Sequence, residues 1–266
     1  MAVIYLTSVS GSPGVTSATV GLALAWPRPV VLIEADIAKP SGILTGYLRG
    51  QVNLSHGLTP LSVQHQRGEL TPNAVMKQTV GLGPNKVLVP GFSNINAAAG
   101  AGTSFWGGLG NALAAISAQG TDILIDGGRL GPRDDRAVLM QTADLVALVA
   151  RPVIPDFFAI RARRAEVGET LARVGHDDWM GLLLIDAHDE AFTDAEVSKA
   201  VQLPVLGRLA NDPRAAAVFS VGAEPTAKTK KSALTRDLTL LPNVLDQAIR
   251  ERRNKLGAIP LEEVNA

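Results

Sequence analysis

The chain has no cysteine among its 266 residues. Disulfides, thiolate metal sites and cysteine nucleophiles are therefore excluded. Aromatic residues are scarce at 4%, although hydrophobic residues as a whole reach 46%. The core must be built from Ala, Val, Leu and Ile, which suits a parallel sheet buried on both faces. Neither sign of charge is in excess, with 25 Lys and Arg against 25 Asp and Glu. General nucleic-acid binding is not expected from that balance. No apolar run approaches the roughly 20 residues needed to span a bilayer. The N-terminus lacks the basic segment and cleavage site of a signal peptide. A soluble, cytoplasmic protein is expected. Its histidines, His56, His65, His176 and His188, are scattered without metal-ligand spacing.

What is present is alternation. Short apolar runs at 3–9, 30–33, 86–90, 122–126, 144–150, 180–185 and 203–209 read as buried strands. Helical patterns fall between them at 16–26, 104–118, 134–142, 155–174, 194–201 and 212–221. The helix at 155–174 carries a basic face of Arg161, Arg163 and Arg164. Residues 38–85 are rich in Gly and Pro and predict short helices and loops, one near 43–48; residues 94–102 predict a surface loop. Residues 224–232 predict a flexible polar link, and 242–256 a final helix. The alternation predicts one doubly wound, mostly parallel α/β sheet flanked by helices, with right-handed crossovers. Its expected extent is 1–225, with 226–266 as a link and a C-terminal helix docked on the same domain.

The first strand runs into Ser10-Gly11-Ser12-Pro13-Gly14-Val15-Thr16-Ser17. A glycine-bounded loop between a strand and a helix is the layout of a phosphate-binding nest, where backbone N–H groups converge at a helix N-terminus. Residues 11–17 are the candidate binding loop, the alternative being a tight β-α turn. The lysine that normally precedes the Thr is missing, because Val15 stands there. Strand tips elsewhere carry Glu34, Asp36 and Asp126, at the sheet edge where ligands bind in open α/β folds. These three are the catalytic candidates, the alternative being ordinary strand-end charges. Arg129, just past the Asp126 tip, either compensates for Val15 or pairs with Asp134 or Asp135.

In this arrangement the chain resembles the ParA/MinD-like branch of P-loop proteins, whose deviant Walker A motif reads Lys-Gly-Gly-x-Gly-Lys-Thr-[Thr/Ser]. Ser10 takes the signature-lysine place and Val15 the second-lysine place. Val31-Leu32-Ile33-Glu34-Ala35-Asp36 and Thr121-Asp122-Ile123-Leu124-Ile125-Asp126-Gly127-Gly128 resemble the family's acidic strand tip and Walker B segment. The segments 143–152 and 203–212 resemble the later strands. The resemblance implies ATP or ADP as cofactor at residues 11–17, with magnesium held by Thr16, Asp36 and Asp126. It implies protein partners, a second copy of the chain among them. The phrases around 26–36 and 127–131 further resemble actinobacterial MinD/ParA-like proteins, whose relatives, including the TadZ/CpaE group, are often tied to pilus or secretion machinery.

The loss of both lysines shapes three readings. The first is a positioning or assembly protein with a degenerate nucleotide site and weak or absent ATP hydrolysis. The second is an active ATPase whose missing charge comes from Arg129 or a partner. The third is a scaffold that binds no nucleotide. The last helix gathers Val244, Leu245, Ala248, Ile249 and Leu256 on one face, which suits docking better than membrane contact because it lacks aromatic anchors.

Overall fold

The computed structural model describes residues 1–11, 13–52, 55–176, 179–187 and 192–255. The elements in chain order are β1 (Val3–Ser8), α1 (Val15–Ala25), β2 (Val30–Glu34), α2 (Gly42–Thr45), α3 (Leu58–Gln66), α4 (Pro72–Lys77), β3 (Val80–Gly83) and β4 (Lys86–Val89). There follow α5 (Ile95–Ala99), α6 (Thr103–Ala118), β5 (Asp122–Arg129), α7 (Ala137–Met140), β6 (Leu145–Ala150) and α8 (Ile154–Ala172). The chain continues through β7 (Met180–Ile185), α9 (Asp194–Val201), β8 (Val205–Leu209), α10 (Pro213–Ser220), α11 (Ala227–Lys230) and α12 (Ala233–Lys255).

The strands form one eight-stranded sheet in the order β3-β4-β2-β5-β1-β6-β7-β8. Every pairing is parallel except β3 with β4. This is the doubly wound, mostly parallel sheet that the alternation predicts. Every residue of β1, β2 and β6 is buried, as expected for strands covered on both faces. Alternate residues serve opposite cores. Val3, Tyr5, Val31, Ile33, Ile123 and Ile125 pack with Trp106, Leu109 and Leu113 of α6. Ile4, Leu6, Leu32 and Leu124 pack with α1 and with Leu238, Leu241, Leu245 and Ile249 of α12.

Several elements depart from the sequence reading. The poorly patterned segment 38–85 contains α2, α3, α4 and the edge strand β3, whose Gly81 and Gly83 hide its strand character. Residues 94–102 lie at the surface as expected, but hold a short helix rather than a loop alone. The Asn94 side chain accepts a 2.8 Å bond from Ala97 N to start α5, and Ala98 and Ala101 are buried. The predicted flexible link holds the short α11, opened by a Thr226–Thr229 capping box. The last helix begins at Ala233 rather than at Pro242, which lies inside it. A proline within a helix costs about 3 kcal/mol or more. Burial of Leu234, Leu238, Leu241, Pro242, Leu245 and Ile249 offsets that cost.

Side-chain pairs also tie α12 to the N-terminal edge of the sheet. Arg28 bridges Asp122 at 2.6 Å and Asp246 at 3.0 Å, and Arg253 reaches Asp144 at 2.6 Å. Asp122 is fully buried and also accepts from Ala2 N and Trp26 Nε1, each at 2.8 Å. Leu256 and His188 lie outside the described residues. No helix among the described residues is long and apolar enough to cross a membrane.

Candidate functional site

The site lies beyond the C-terminal ends of β1, β2 and β5, where the strand order reverses around β1. At the end of β1 the Ser8 hydroxyl donates to Ser10 O at 2.8 Å and accepts from Ser10 N at 3.2 Å. The loop closes at Gly14, whose φ of +107° is a left-handed conformation that favours glycine. Helix α1 starts directly after it with no side-chain cap and no acidic residue in its first turn. The first intrahelical bond runs from Ala18 N to Gly14 O at 2.9 Å. The N–H groups of Val15, Thr16 and Ser17 precede that bond, so the helix itself supplies them no acceptor. Gly11 and Pro13 complete the described part of the loop, and Ser12 lies outside the described residues.

Val15 has a structural role that composition alone does not reveal. It is buried at 6% exposure and belongs to the core formed by Ile4, Leu6 and Leu124. The residue between Gly14 and Thr16 is thus packed into the sheet rather than directed at the loop. Ser10 is also buried, at 8% exposure, and its hydroxyl has no hydrogen-bond partner among the described residues.

The three strand-tip carboxylates differ sharply. Glu34 is 1% exposed, and both its oxygens are engaged. Oε1 accepts from Gly42 N at 2.6 Å and Ile43 N at 2.9 Å, while Oε2 accepts from Gly91 N at 2.9 Å and from the Ser41 hydroxyl. It clamps the start of α2 to the loop after β4. Asp36 is half-buried, accepts from Ala38 N at 3.0 Å, and packs against the backbone of Gly128, where a Cβ would lie 2.4 Å from its carboxyl carbon. Asp126 is fully buried; Oδ1 accepts from Gly128 N at 3.0 Å, but Oδ2 has no partner among the described residues. Burial pushes the Asp126 carboxyl up to about 7. The Thr16 hydroxyl and Gly128 N–H pull it down, and the Glu34 and Asp36 charges push it further up. Thr16 therefore acts on this carboxylate from α1 without closing a bond of normal length.

Arg136, which the sequence reading missed, organises the loop that carries Asp126. Its side chain is 1% exposed, and all five guanidinium donors are used. Nε and Nη2 bind Asp134 at 2.8 and 2.5 Å, Nη1 binds Ala35 O at 2.9 Å and Gly127 O at 2.6 Å, and Nη2 binds Arg129 O at 2.8 Å. One side chain thus joins the exit of β2 to the end of β5. Burial works against ionised Asp134, but its bonds to Arg136 hold the carboxyl below the usual range. Asp134 is paired with Arg136, and the Asp135 carboxylate accepts from the Thr103 hydroxyl. The Arg129 side chain is exposed. Arg163 is not part of an exposed basic face, since it donates to Leu130 O and Gly131 O at 2.7 Å each. No sequence pattern marks Arg136, because the strand-exit carbonyls that its Nη1 joins lie 9 and 101 residues away.

Beside the loop, a cleft of about 110 Å³ is lined by Pro13, Gly14, Ser17, Ala210, Asn211 and Asp212 among others. Loop and cleft together form a concave surface between α1 and the end of β8. No group of three His, Asp or Glu side chains among the described residues can hold a metal unaided. The residues nevertheless fit a magnesium ion that brings phosphate oxygens with it: the unpartnered Asp126 oxygen and the Thr16 hydroxyl, close enough to favour the ionised carboxylate, are both hard oxygen donors.

No protein-family model and no curated protein matches the sequence. Solved structures do resemble the fold. A ParA family ATPase from Chlorobium tepidum TLS superposes with a TM-score of 0.71 at 17% identity, covering 90% of this chain and 97% of its own. The septum site-determining protein MinD of Pyrococcus horikoshii OT3, complexed with Mg-ADP, gives 0.69 at 18%, covering 93% and 96%. The MinC:MinD cell division protein complex of Aquifex aeolicus gives 0.69 at 16%, covering 98% of each chain. The chain therefore has the fold of the ParA/MinD P-loop ATPases.

Proposed function

We propose that the protein is a ParA/MinD-type positioning or assembly factor that binds an adenine nucleotide weakly and hydrolyses it slowly or not at all. The observation that carries this reading is the retained nest at Gly14 and α1 together with the burial of Val15. The backbone donors and helix N-terminus favour phosphate. The charge that normally acts on the outer phosphates is absent from residues 10 and 15. A hydrogen bond to a charged group contributes about 1.5–3 kcal/mol, so its loss weakens binding by roughly 10- to 100-fold. Catalysis suffers more, because phosphoryl transfer depends on positioning and electrostatic stabilisation.

In this reading residues 11–17 bind ATP or ADP, and Thr16 and Asp126 hold magnesium with Asp36 beside them. Magnesium, when bound, neutralises phosphate charge. Glu34 serves as a structural clamp, since its oxygens are already occupied. Residues 1–225 and the segment from 226 act as one folding unit. The protein works in the cytoplasm through protein contacts, including those of a second copy of the chain; a link to pilus or secretion machinery rests on the sequence resemblance alone. Calorimetry with MgATP, paired with a phosphate-release assay, tests the reading. The expected result is saturable binding in the high-micromolar range or weaker, with hydrolysis far below about 1 s⁻¹. Absence of binding at millimolar nucleotide favours a scaffold. Rapid turnover abolished by Asp126→Ala favours an active ATPase.

A further inference from the structure

We propose that Arg151 supplies the phosphate-facing positive charge that Ser10 and Val15 do not, so that a nucleoside di- or triphosphate in the loop is met by an arginine from the neighbouring strand. The inference rests on the nucleotide-binding reading above and names a residue it left open.

The placement follows from topology. β6 lies parallel to β1, with Thr7 opposite Leu148, so both strands end on the same side of the sheet. Arg151 is the first residue after β6 and emerges beside the loop that follows β1. Its Nη2 lies 3.7 Å from the position a Cβ on Gly11 would occupy. The guanidinium therefore sits against the loop backbone, on the side left open by a glycine.

Arg151 is also free to act. Its backbone N–H is anchored by Asp156 Oδ2 at 2.9 Å. Its side chain has one contact among the described residues, to Asp156 Oδ1 at 3.5 Å, and is 49% exposed. That contact is long for a charge-assisted bond. Asp156 is itself 2% exposed, so it fixes the root of Arg151 while most of the guanidinium donors have no partner among the described residues. Arg136 cannot take this part, because all five of its donors are spent on the strand exits. Arg163 is likewise held by Leu130 O, Gly131 O and Glu166.

Two buried polar atoms indicate that the loop faces a ligand. Asp126 Oδ2 is fully buried, without a partner, and in the field of Thr16 on the first turn of α1. The Ser10 hydroxyl, next to Gly11, is also unpartnered. Asp36 and Asp126 bring no positive charge to the site. A polyphosphate bound there needs a cation, and the planar guanidinium offers paired donors matched to phosphate oxygens.

The test is a calorimetric titration of the full chain with MgATP and MgADP. Wild type is compared with Arg151→Gln, Arg151→Lys and Arg129→Gln, with thermal melting of each as a folding control. Arg151→Gln is expected to weaken both nucleotides by about 10- to 100-fold, Arg151→Lys to recover most of that loss, and Arg129→Gln to change affinity by less than about 3-fold. Arg151→Met takes its place if the glutamine variant does not fold, with the same loss of about 10- to 100-fold expected, and unchanged affinity there overturns the assignment. Wild-type binding that Arg151→Gln leaves unchanged overturns the assignment and keeps the nucleotide reading. No wild-type binding at millimolar nucleotide overturns both.

Discussion

Asp126 shows how a single buried carboxyl ties stability to use. Its carboxyl is pushed up to about 7 from an ordinary 3.8, first by burial and then by Glu34 and Asp36. An acid whose folded pKa is raised binds its proton more tightly in the native state. The unfolded chain therefore ionises first, and native stability falls as pH rises from about 4 to about 7. Above that window the penalty is complete, of order 4 kcal/mol at about 1.36 kcal/mol per pH unit. Asp126→Asn removes the titrating proton, so its stability relative to wild type should rise across the same window. Urea denaturation at pH 5 and pH 8 checks this, and an equal difference at the two pH values contradicts it. Bound magnesium, if Thr16 and Asp126 hold it, supplies the countercharge that Oδ2 lacks and makes the variant's stability advantage shrink.

At the scale of elements, α12 decides whether the C-terminal segment is a tail or part of the core. Leu245 is fully buried between α1 and β8, while Leu240 is 57% exposed on the opposite side of the same helix. Leu245→Ala should cost about 2–5 kcal/mol and Leu240→Ala less than about 0.5 kcal/mol, both measured by chemical denaturation. A silent Leu245→Ala would mean that α12 detaches from the domain in solution. The same helix shows where sequence stops being legible. Pro242 reads locally as a helix start, and only the burial of Leu234, Leu238 and Leu241 ahead of it reveals the longer element. The strands were readable because apolar runs in a parallel sheet follow from burial on both faces. β3 was not, because Gly81 and Gly83 carry no side-chain pattern. In the site, the loop and the three carboxylates could be placed at strand tips from sequence, but their differing roles could not. Glu34 is saturated by residues up to 57 positions away, and Asp126 is left with a bare oxygen by packing.

For the whole molecule, the question is whether nucleotide can join two copies. Ser10, at the place of the resembling motif's first lysine, is 8% exposed and short, with neither the charge nor the reach to meet a second chain's ligand. Arg151 stands at the mouth of its own loop, tethered by Asp156. A charge so placed serves ligand within one chain. Sedimentation velocity on the wild type, with and without saturating MgATP, is therefore expected to give the same mass. Any self-association should use a surface away from the loop, and so remain when Arg151 is changed to Gln. A doubling of mass that requires MgATP and disappears in Arg151→Gln would overturn this. It would show that Arg151 crosses to the second chain and takes over the bridging part as well as the phosphate charge.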